Sequence, residues 1–332
     1  YERTIIMKKL AYLATAVLAG LGFTSTASAE VSVSGSQTLM YAASGSTTSI
    51  RNYGSVDFGL STTTASGMTI SSGAGISLGD GNVGDTSTAD AKVYGWDGLT
   101  FASGGVTVEI GTDINLADGV GEVDGVHASD ATADHSGMKT VTNTVGVTND
   151  EGAGISLTTA LGGATLSLAY VADTDTDGGA SERLDLQTGN GMSAKISTAV
   201  GAVGVTAAYV THSDTSVDDT ETAVAVSYSS SMGDITVGYG SSSGAKDGTV
   251  GSIAYKMALD ADTAIAIGYA SYDVNSTSGT ETNASITRSL GGGASIFADF
   301  GTVSGTTTNG AAHGVTNLTD ESVFAIGTSV SF

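Results

Sequence analysis

Acidic side chains are the residues of this 332-residue chain whose spacing could do chemistry, and the clearest group is DTDTDGG, from Asp173 to Gly179. Carboxylates at Asp173, Asp175 and Asp177 alternate before a glycine, which is typical of the first half of a calcium loop, because oxygens at alternate positions can wrap a hard cation. Position twelve of such a loop would be Leu184 instead of Glu, so the full motif fails. The stretch is therefore either a weak calcium site or a plain acidic loop.

Other residues that carry out chemistry are absent or scattered. The sequence has no Cys, which excludes zinc–thiolate centres and disulfide scaffolds. The histidines fall in predicted loops, at spacings that match neither a metal site nor a nucleophile: His127, His135, His212 and His313. A formal net charge of −23 at pH 7 argues against nucleic acid as a partner, because its phosphates would be repelled. We expect that the protein is not an enzyme and that it has no cofactor, unless the acidic stretch binds calcium.

The elements that position these residues are short alternating stretches. Sixteen of them, each about ten residues long, place apolar side chains on one parity and mostly Ser, Thr, Gly or Ala on the other. In ATLSLAYVA, for example, Leu166, Leu168 and Tyr170 share one face. Period two is the pattern of a β-strand, and 48 Gly with no Pro suit a backbone committed to hydrogen-bonded ladders. The sequence predicts an all-β protein.

The connections between the predicted strands alternate in length. Tight links such as SGG at 103–105 and GGG at 291–293 alternate with mostly longer, more acidic ones such as GDGNVGDTSTAD and HSDTSVDDTE. This sorting predicts a transmembrane antiparallel up-and-down β-barrel of about 16 strands, apolar outside and polar inside, with both termini at the short-turn rim. Five tyrosines of the apolar face lie towards the long loops, where amphipathic rings prefer the lipid–water boundary: Tyr41, Tyr170, Tyr209, Tyr239 and Tyr269.

Residues 1–29 are predicted to precede the mature chain. MKK at 7–9, the apolar run LAYLATAVLAGLGF at 10–23 and the small residues ASA at 27–29 form the three parts of a secretory signal peptide. The apolar run is too short for a comfortable membrane span. Residues 1–6 lie before Met7 and are interpreted as upstream read-through, which leaves residues 30–332 as the transmembrane barrel.

The longest predicted connection, residues 115–150, is strongly acidic and contains a single base, Lys139. Its acids extend a group that begins on the inward parity of the strand before it: Glu109, Asp113, Asp118, Glu122 and Asp124. Bases of the inward parity on other strands are few, and they include Arg51, Lys92 and Arg183. We expect the interior to have a negative potential and to attract cations.

Taken together, the signal peptide, the sixteen stretches and the last strand ending on Phe332 resemble the Gram-negative outer-membrane general porins, most closely the compact, acidic porins of alphaproteobacteria. The resemblance covers residues 30–332. It implies that residues 115–150 fold into the lumen as a constriction loop, whose acids face the basic residues of the wall. It also implies that Phe332 is recognised by the outer-membrane assembly machinery. The partners implied are outer-membrane lipid, lipopolysaccharide and two further copies in a homotrimer.

The function predicted is a water-filled channel for passive diffusion of small hydrophilic solutes and ions, with a preference for cations, in the outer membrane of a Gram-negative bacterium. The alternative is a secreted, acidic, β-rich surface protein, such as an adhesin-like solenoid, which would share the Gly, Ser, Thr and Asp bias. A solenoid should repeat at a fixed period, and the sequence shows no constant period. The sequence therefore favours the channel.

Overall fold

The structure, a computed structural model, describes residues 28–44, 47–82, 92–96, 98–112, 114, 116, 120, 153–172, 189–214, 218–244, 247–274, 277–306 and 319–332. Among these residues there is no helix long and apolar enough to cross a membrane. Their secondary structure consists of β-strands and turns. The all-β prediction is confirmed.

The described residues form seventeen β-segments in chain order. They are β1 (Ser28–Ser44), β2 (Thr47–Thr63), β3 (Thr69–Asn82), β4 (Lys92–Trp96), β5 (Leu99–Ser103), β6 (Val106–Thr112), β7 (Ala153–Leu161), β8 (Ala164–Ala172), β9 (Gly189–Val200), β10 (Val203–Asp214), β11 (Asp218–Ser230), β12 (Gly233–Ser243), β13 (Gly248–Ala258), β14 (Thr263–Val274), β15 (Thr277–Gly291), β16 (Ala294–Thr306) and β17 (Thr319–Ser331). The segments match the sixteen predicted stretches in order, because one predicted stretch, KVYGWDGLTFA, contains both β4 and β5.

The segments form one antiparallel sheet that closes on itself. β1 pairs with β17, from Ser36 opposite Ser331 to Ser44 opposite Val323. Both β4 and β5 pair with β3, so they are two halves of a single strand that is interrupted at residues 97–98. The barrel therefore has sixteen strands, as predicted. Closure leaves no free sheet edge, which lipid could not satisfy with hydrogen bonds.

One rim of the barrel consists of tight turns. Between β5 and β6, Gly104 and Gly105 have φ values of 58° and 81°, and positive φ at both central positions is what a two-residue hairpin turn of type I′ requires. β1 begins at this rim, since Ser28 lies opposite Thr63 beside the first turn. β17 ends there as well, so the first strand begins and the last strand ends at the short-turn rim, as the sequence predicts.

The other rim differs in part from the sequence prediction. Residues 45–46, 215–217 and 275–276 are all that separate the strands at three of its links. The stretch HSDTSVDDTE, predicted as a long loop, is mostly strand, and His212 lies in β10 instead of in a loop. Strands of such a barrel can continue beyond the lipid, where both faces meet water. The apolar alternation that identifies a membrane strand therefore ends before the strand does.

Two glycine–aromatic contacts lie at the seam where β17 closes on β1. On the outer face, the ring of Phe332 covers Gly35, and the two residues exchange backbone hydrogen bonds of 3.1 Å in each direction. On the inner face, the ring of Phe297 reaches over Gly327, which lies between Phe297 and Met40 in the ladder. An aromatic ring that covers a glycine on a neighbouring strand helps to fix the register of the pair.

Candidate functional site

The barrel is apolar on its outer face and largely polar on its inner face. Outward side chains such as Leu60, Val237 and Ile326 are 52%, 47% and 50% exposed. The residues that alternate with the outward ones along each strand point inward and are mostly small or carry hydroxyls, as at Ser156 of β7 and Ser252 of β13. A water-soluble barrel has the opposite arrangement, with its apolar side chains inside. An apolar exterior around a polar interior is the arrangement of a membrane-spanning barrel.

Aromatic side chains lie near both ends of the apolar belt. Four of the five predicted boundary tyrosines are exposed on the outer face, and the fifth is half-buried there: Tyr41, Tyr209, Tyr239, Tyr269 and Tyr170. Phe324 lies opposite Phe300 towards the same rim, and Phe332 is exposed at the short-turn rim. From Phe324 to Phe332 the strand covers about 26 Å at about 3.3 Å per residue, or about 20 Å along the axis at a tilt of about 40°. That height is close to the band of about 25 Å typical of outer-membrane barrels.

Hydroxyl pairs occur at several places on the inner wall. They bridge neighbouring strands at Thr158 and Ser167 (2.9 Å), Thr206 and Ser197 (3.1 Å) and Thr38 and Ser329 (3.1 Å). In each pair the two residues are directly opposite in the ladder. At these places the wall is therefore hydrophilic without being charged.

The charged side chains described on the inner wall are mostly acidic. The carboxylates of this parity include Asp57, Glu109, Glu221, Asp234 and Asp299, and the amines include Lys195 and Lys256. Asp234 and Lys256 lie directly opposite each other on β12 and β13, so their charges offset locally. Among the described side chains, the remaining acids therefore outnumber the remaining base, Lys195.

Neighbouring side chains position two of these carboxylates. Ser156 lies opposite Glu109 and donates a hydrogen bond of 3.5 Å to its Oε2. Ser55 donates a bond of 2.9 Å to Oδ2 of Asp57. The glycine opposite Asp57, Gly75, leaves room for that carboxylate, because a Cβ on this residue would lie only 3.0 Å from Oδ1.

Two other inward carboxylates are covered. Glu221 and Asp299 are each 1% exposed, although they lie on the inward parity of β11 and β16. Neighbouring groups therefore shield them from the lumen. Among the described acids of the inward parity, Glu30, Asp57 and Asp234 are exposed and Glu109 is half-buried.

The segment after β6 begins against the inner wall. Ile114 packs in one buried cluster with Ala169 and Val171 of β8, and Leu116 packs against this cluster. Both β8 residues lie on the inward parity, opposite to the exposed Leu168. The start of the predicted constriction loop thus contacts the lumenal face, while most of residues 115–150 lie outside the described residues.

The predicted charged residues have different outcomes. Glu109 lies on β6 and faces inward, as expected. Arg51 pairs with Met40, and Lys92 pairs with Ser77 at the start of β4; the side chains of Arg51 and Lys92 are outside the described part. The other predicted charged residues of the pore and of the calcium stretch also lie outside it: Asp113, Asp118, Glu122, Asp124, Arg183, Asp173, Asp175 and Asp177.

The sequence prediction missed several inward charges that the structure adds, among them Lys195, Asp234 and Glu221. Lys195 shares the parity of Ser193 and Ser197, so strict period two could have identified it. Asp234 is the second residue of β12, directly after the short turn at residues 231–232. Glu221 lies in β11, although it belongs to the predicted long link HSDTSVDDTE. Over the described ranges no group of three or more His, Asp or Glu is placed to hold a metal ion.

A family model described as "Gram-negative porin" matches residues 14–308. The chain belongs to the Gram-negative porin family. It is therefore an outer-membrane channel protein, and family and fold point to a channel rather than to an enzyme. The alternative of a secreted solenoid is not favoured. A search of curated proteins gave no match.

Solved structures of outer-membrane proteins share the fold of this porin at low sequence identity. OmpT, an outer membrane protein of Vibrio cholerae folded in vitro, superposes with a TM-score of 0.69 at 13% identity, over 94% of this chain and 100% of its own. A trimer form of OmpT gives 0.68 at 14%, over 92% and 99%. An engineered variant of the Rh. blastica porin gives 0.64 at 16%, over 91% and 100%. The barrel therefore spans nearly the full length of these proteins.

Proposed function

We propose that this porin forms a water-filled pore for passive diffusion of small hydrophilic solutes and that the pore prefers cations. The observation that carries the preference is the excess of carboxylates over amines among the described inward side chains. The formal net charge of −23 at pH 7 has the same sign, so the rims add to the effect of the wall.

A wall of one sign raises the concentration of counter-ions in the water beside it. Salt screens this attraction over a Debye length of about 10 Å at 0.1 M and about 3 Å at 1 M. The first length is comparable to the radius of a small pore and the second is much shorter. The preference for cations should therefore be strong in dilute salt and should fade towards molar salt.

The residues that carry this preference can be tested by reversal potential across a planar bilayer with a potassium chloride gradient. The double variant Asp57→Asn and Glu109→Gln removes two inward charges while keeping side-chain size. The matched control, Asp247→Asn and Asp262→Asn, removes two charges from exposed residues in the links between strands. The inward variant should move the potential towards zero more than the control does.

Two results would contradict the proposal. One is a preference for anions in the unmodified porin, which would mean that positive charge elsewhere in the pore outweighs the acids of the wall. The other is an equal shift from the two double variants, which would mean that total charge matters and the inner wall does not. Loss of conduction in a variant is distinguished from loss of folding by its gel mobility without boiling.

We propose further that residues 115–150 enter the lumen and narrow it. The contact of Ile114 and Leu116 with the inner face of β8 supports this, because the segment leaves β6 on the lumenal side. Asp118, Glu122 and Asp124 would then lie near the narrowest point. A charge at a constriction acts on every ion that passes, so these acids would strengthen the preference set by the wall.

The proposed assembly is a homotrimer in contact with outer-membrane lipid and lipopolysaccharide. The trimer form of OmpT, which shares the fold, supports this arrangement. Phe332 is proposed as the residue that the assembly machinery recognises. Its ring is 73% exposed at the end of the last strand, which supports a role in recognition before the barrel is surrounded by lipid.

A further inference from the structure

A depression of about 630 Å³ lies on the outer face of the barrel, from β14 across β15, β16, β17 and β1 to β2. Most of its lining residues are outward ones, and Met40, Phe297 and Gly327 of the inward parity also line it. Small side chains alternate there with large ones. Ala298 lies between Ile286 and Ile326 in one ladder row, and Thr328 lies between Ile296 and Leu39 in the next. Small residues surrounded by larger ones leave a hollow, and its volume is within the range of about 300–1,000 Å³ typical of small-molecule sites.

An ion pair lies at one end of this depression, near the short-turn rim. Arg288 lines the depression next to Ile296, and its side chain is 53% exposed on the outer face. Its Nη1 donates a 3.1 Å hydrogen bond to Thr263 and lies 3.8 Å from Oδ2 of Asp260. Arginine on the lipid face is costly at the bilayer midplane and far less so near the interface, so the polar boundary is the position that tolerates it.

The turn that precedes β14 holds Asp260 in place beside the arginine. Its Oδ1 accepts backbone hydrogen bonds from Asp262 (2.9 Å) and Thr263 (2.8 Å), and its Oδ2 accepts one from the Thr263 hydroxyl (3.1 Å). A fixed anion therefore lies beside a cation that carries five N–H donors. The separation of 3.8 Å is long for a direct ion pair, so each group can bind a partner of opposite charge as well.

We propose that this depression binds one zwitterionic aminophospholipid of the periplasmic leaflet. An acyl chain lies over Ala298 and Thr328, the lipid phosphate binds Arg288, and the lipid ammonium binds Asp260. The short turns of outer-membrane barrels are periplasmic, which sets the leaflet. A neighbouring cation and anion match a headgroup that carries both charges better than they match a purely anionic headgroup, which Asp260 would repel.

The first test is native mass spectrometry of the refolded porin in detergent with phosphatidylethanolamine, phosphatidylglycerol or diacylglycerol. We expect one retained phosphatidylethanolamine per protomer and no retained diacylglycerol, which has no phosphate. Arg288→Gln should weaken retention about tenfold, the effect of losing a charge-assisted hydrogen bond. Asp260→Asn keeps the acceptor for the turn but removes the charge, so it should abolish the preference for phosphatidylethanolamine over phosphatidylglycerol.

The matched controls change the same charges on the inner wall near the same rim. Lys256→Gln and Asp234→Asn alter a pair that faces the lumen, and both should leave lipid retention unchanged. Ala298→Phe fills the depression without touching Arg288 and should also abolish retention. Equal retention in Arg288→Gln and Lys256→Gln would overturn the proposal, as would unchanged retention in Ala298→Phe. Displacement of the lipid by inorganic phosphate alone would overturn it too, because the acyl chain would then contribute nothing.

A second copy of the porin is the competing occupant of the depression. The chain has no Cys, so Ala298→Cys introduces a single thiol at its floor. If lipid occupies the site, a bifunctional thiol reagent should not link two copies in native membranes. Efficient linking of copies through this thiol would show that a neighbouring subunit covers the depression, and the lipid proposal would be wrong.

Discussion

Replacing Gly327 with alanine should weaken the seam that closes the barrel. A Cβ at this residue would stand 2.5 Å from Cζ of Phe297, 2.6 Å from the carbonyl oxygen of Leu39 and 2.7 Å from Cβ of Met40. The end of the Phe297 ring can rotate away, but the oxygen and the Cβ belong to β1 itself. β1 and β17 must therefore move apart, or the closing hydrogen bonds between them must distort.

The expected cost is that of an overpacked core, about 1–3 kcal/mol. Outer-membrane barrels are commonly assessed by how fast they unfold, because heating is usually irreversible and the rate is then the meaningful quantity. If the seam is already open in the transition state for unfolding, the whole free-energy cost appears as faster unfolding, about 5- to 150-fold. If the seam opens only after the transition state, unfolding is accelerated less, so about 150-fold is the largest acceleration expected.

The assay follows the form that migrates fast on a gel without boiling, at a fixed temperature over time. The matched control is Gly251→Ala in β13, where the nearest atom to an added Cβ is Oγ of Ser271 at 3.9 Å. The control has room for the methyl group and should unfold no faster than the unmodified porin. If Gly327→Ala and Gly251→Ala lose the folded form at the same rate, the seam contacts do not limit stability and the reasoning fails.

The remaining predictions concern the last residue, the loops and one turn. Phe332→Ala should lower the yield of folded porin in the outer membrane far more than Phe324→Ala does, measured by the unboiled form in isolated membranes. Cysteine at Asp118 should react with small thiol reagents and reduce conductance; labelling without a change in current would place the loop outside. Neutralising the acids of Asp173–Asp177 should abolish any calcium heat signal in titration calorimetry, and a signal unchanged by the replacement would exclude this stretch as the site. Of the contacts that hold the pKa of Asp260 below its ordinary value of 3.8, the hydrogen bond from the backbone N–H of Asp262 has the largest effect. The stability that these contacts give the folded porin is present at neutral pH and is lost as pH falls below that value. Acid should therefore speed unfolding less in Asp260→Asn than in the unmodified porin, and an equal effect would contradict the assignment.

Local periodicity was sufficient to predict the strands and the faces of the residues within the membrane. The bounds Ala164–Ala172 of β8 agree with the predicted stretch. The glycines before it, where the apolar positions switch from odd to even residue numbers, mark its start, and the acidic DTD run marks its end. The inward direction of Glu109 follows from the exposed Ile110 beside it. Such assignments need only the two-residue repeat of a strand between lipid and water.

Features that depend on distant pairs could not be predicted from the sequence. Gly35 opposite Phe332 fixes how far the first strand is offset from the last, and nothing local to either residue determines that offset. The sequence predicts a loop at Glu221 because its strand continues beyond the apolar alternation that identifies a membrane strand. Asp260 and Arg288 become neighbours only because β14 and β15 pair in one register. Interactions between side chains on different strands could therefore be identified only from the structure.

The central claim is that this chain forms an open, water-filled pore, and current through single molecules in a planar bilayer tests it most directly. The folded porin, checked by its unboiled gel mobility, is added to a bilayer in symmetric potassium chloride. The account predicts discrete upward steps whose size rises with salt concentration, nearly in proportion at molar salt and less steeply in dilute salt, where the acidic wall concentrates cations. Folded protein that inserts without producing steps, or steps that do not grow with salt, would contradict it.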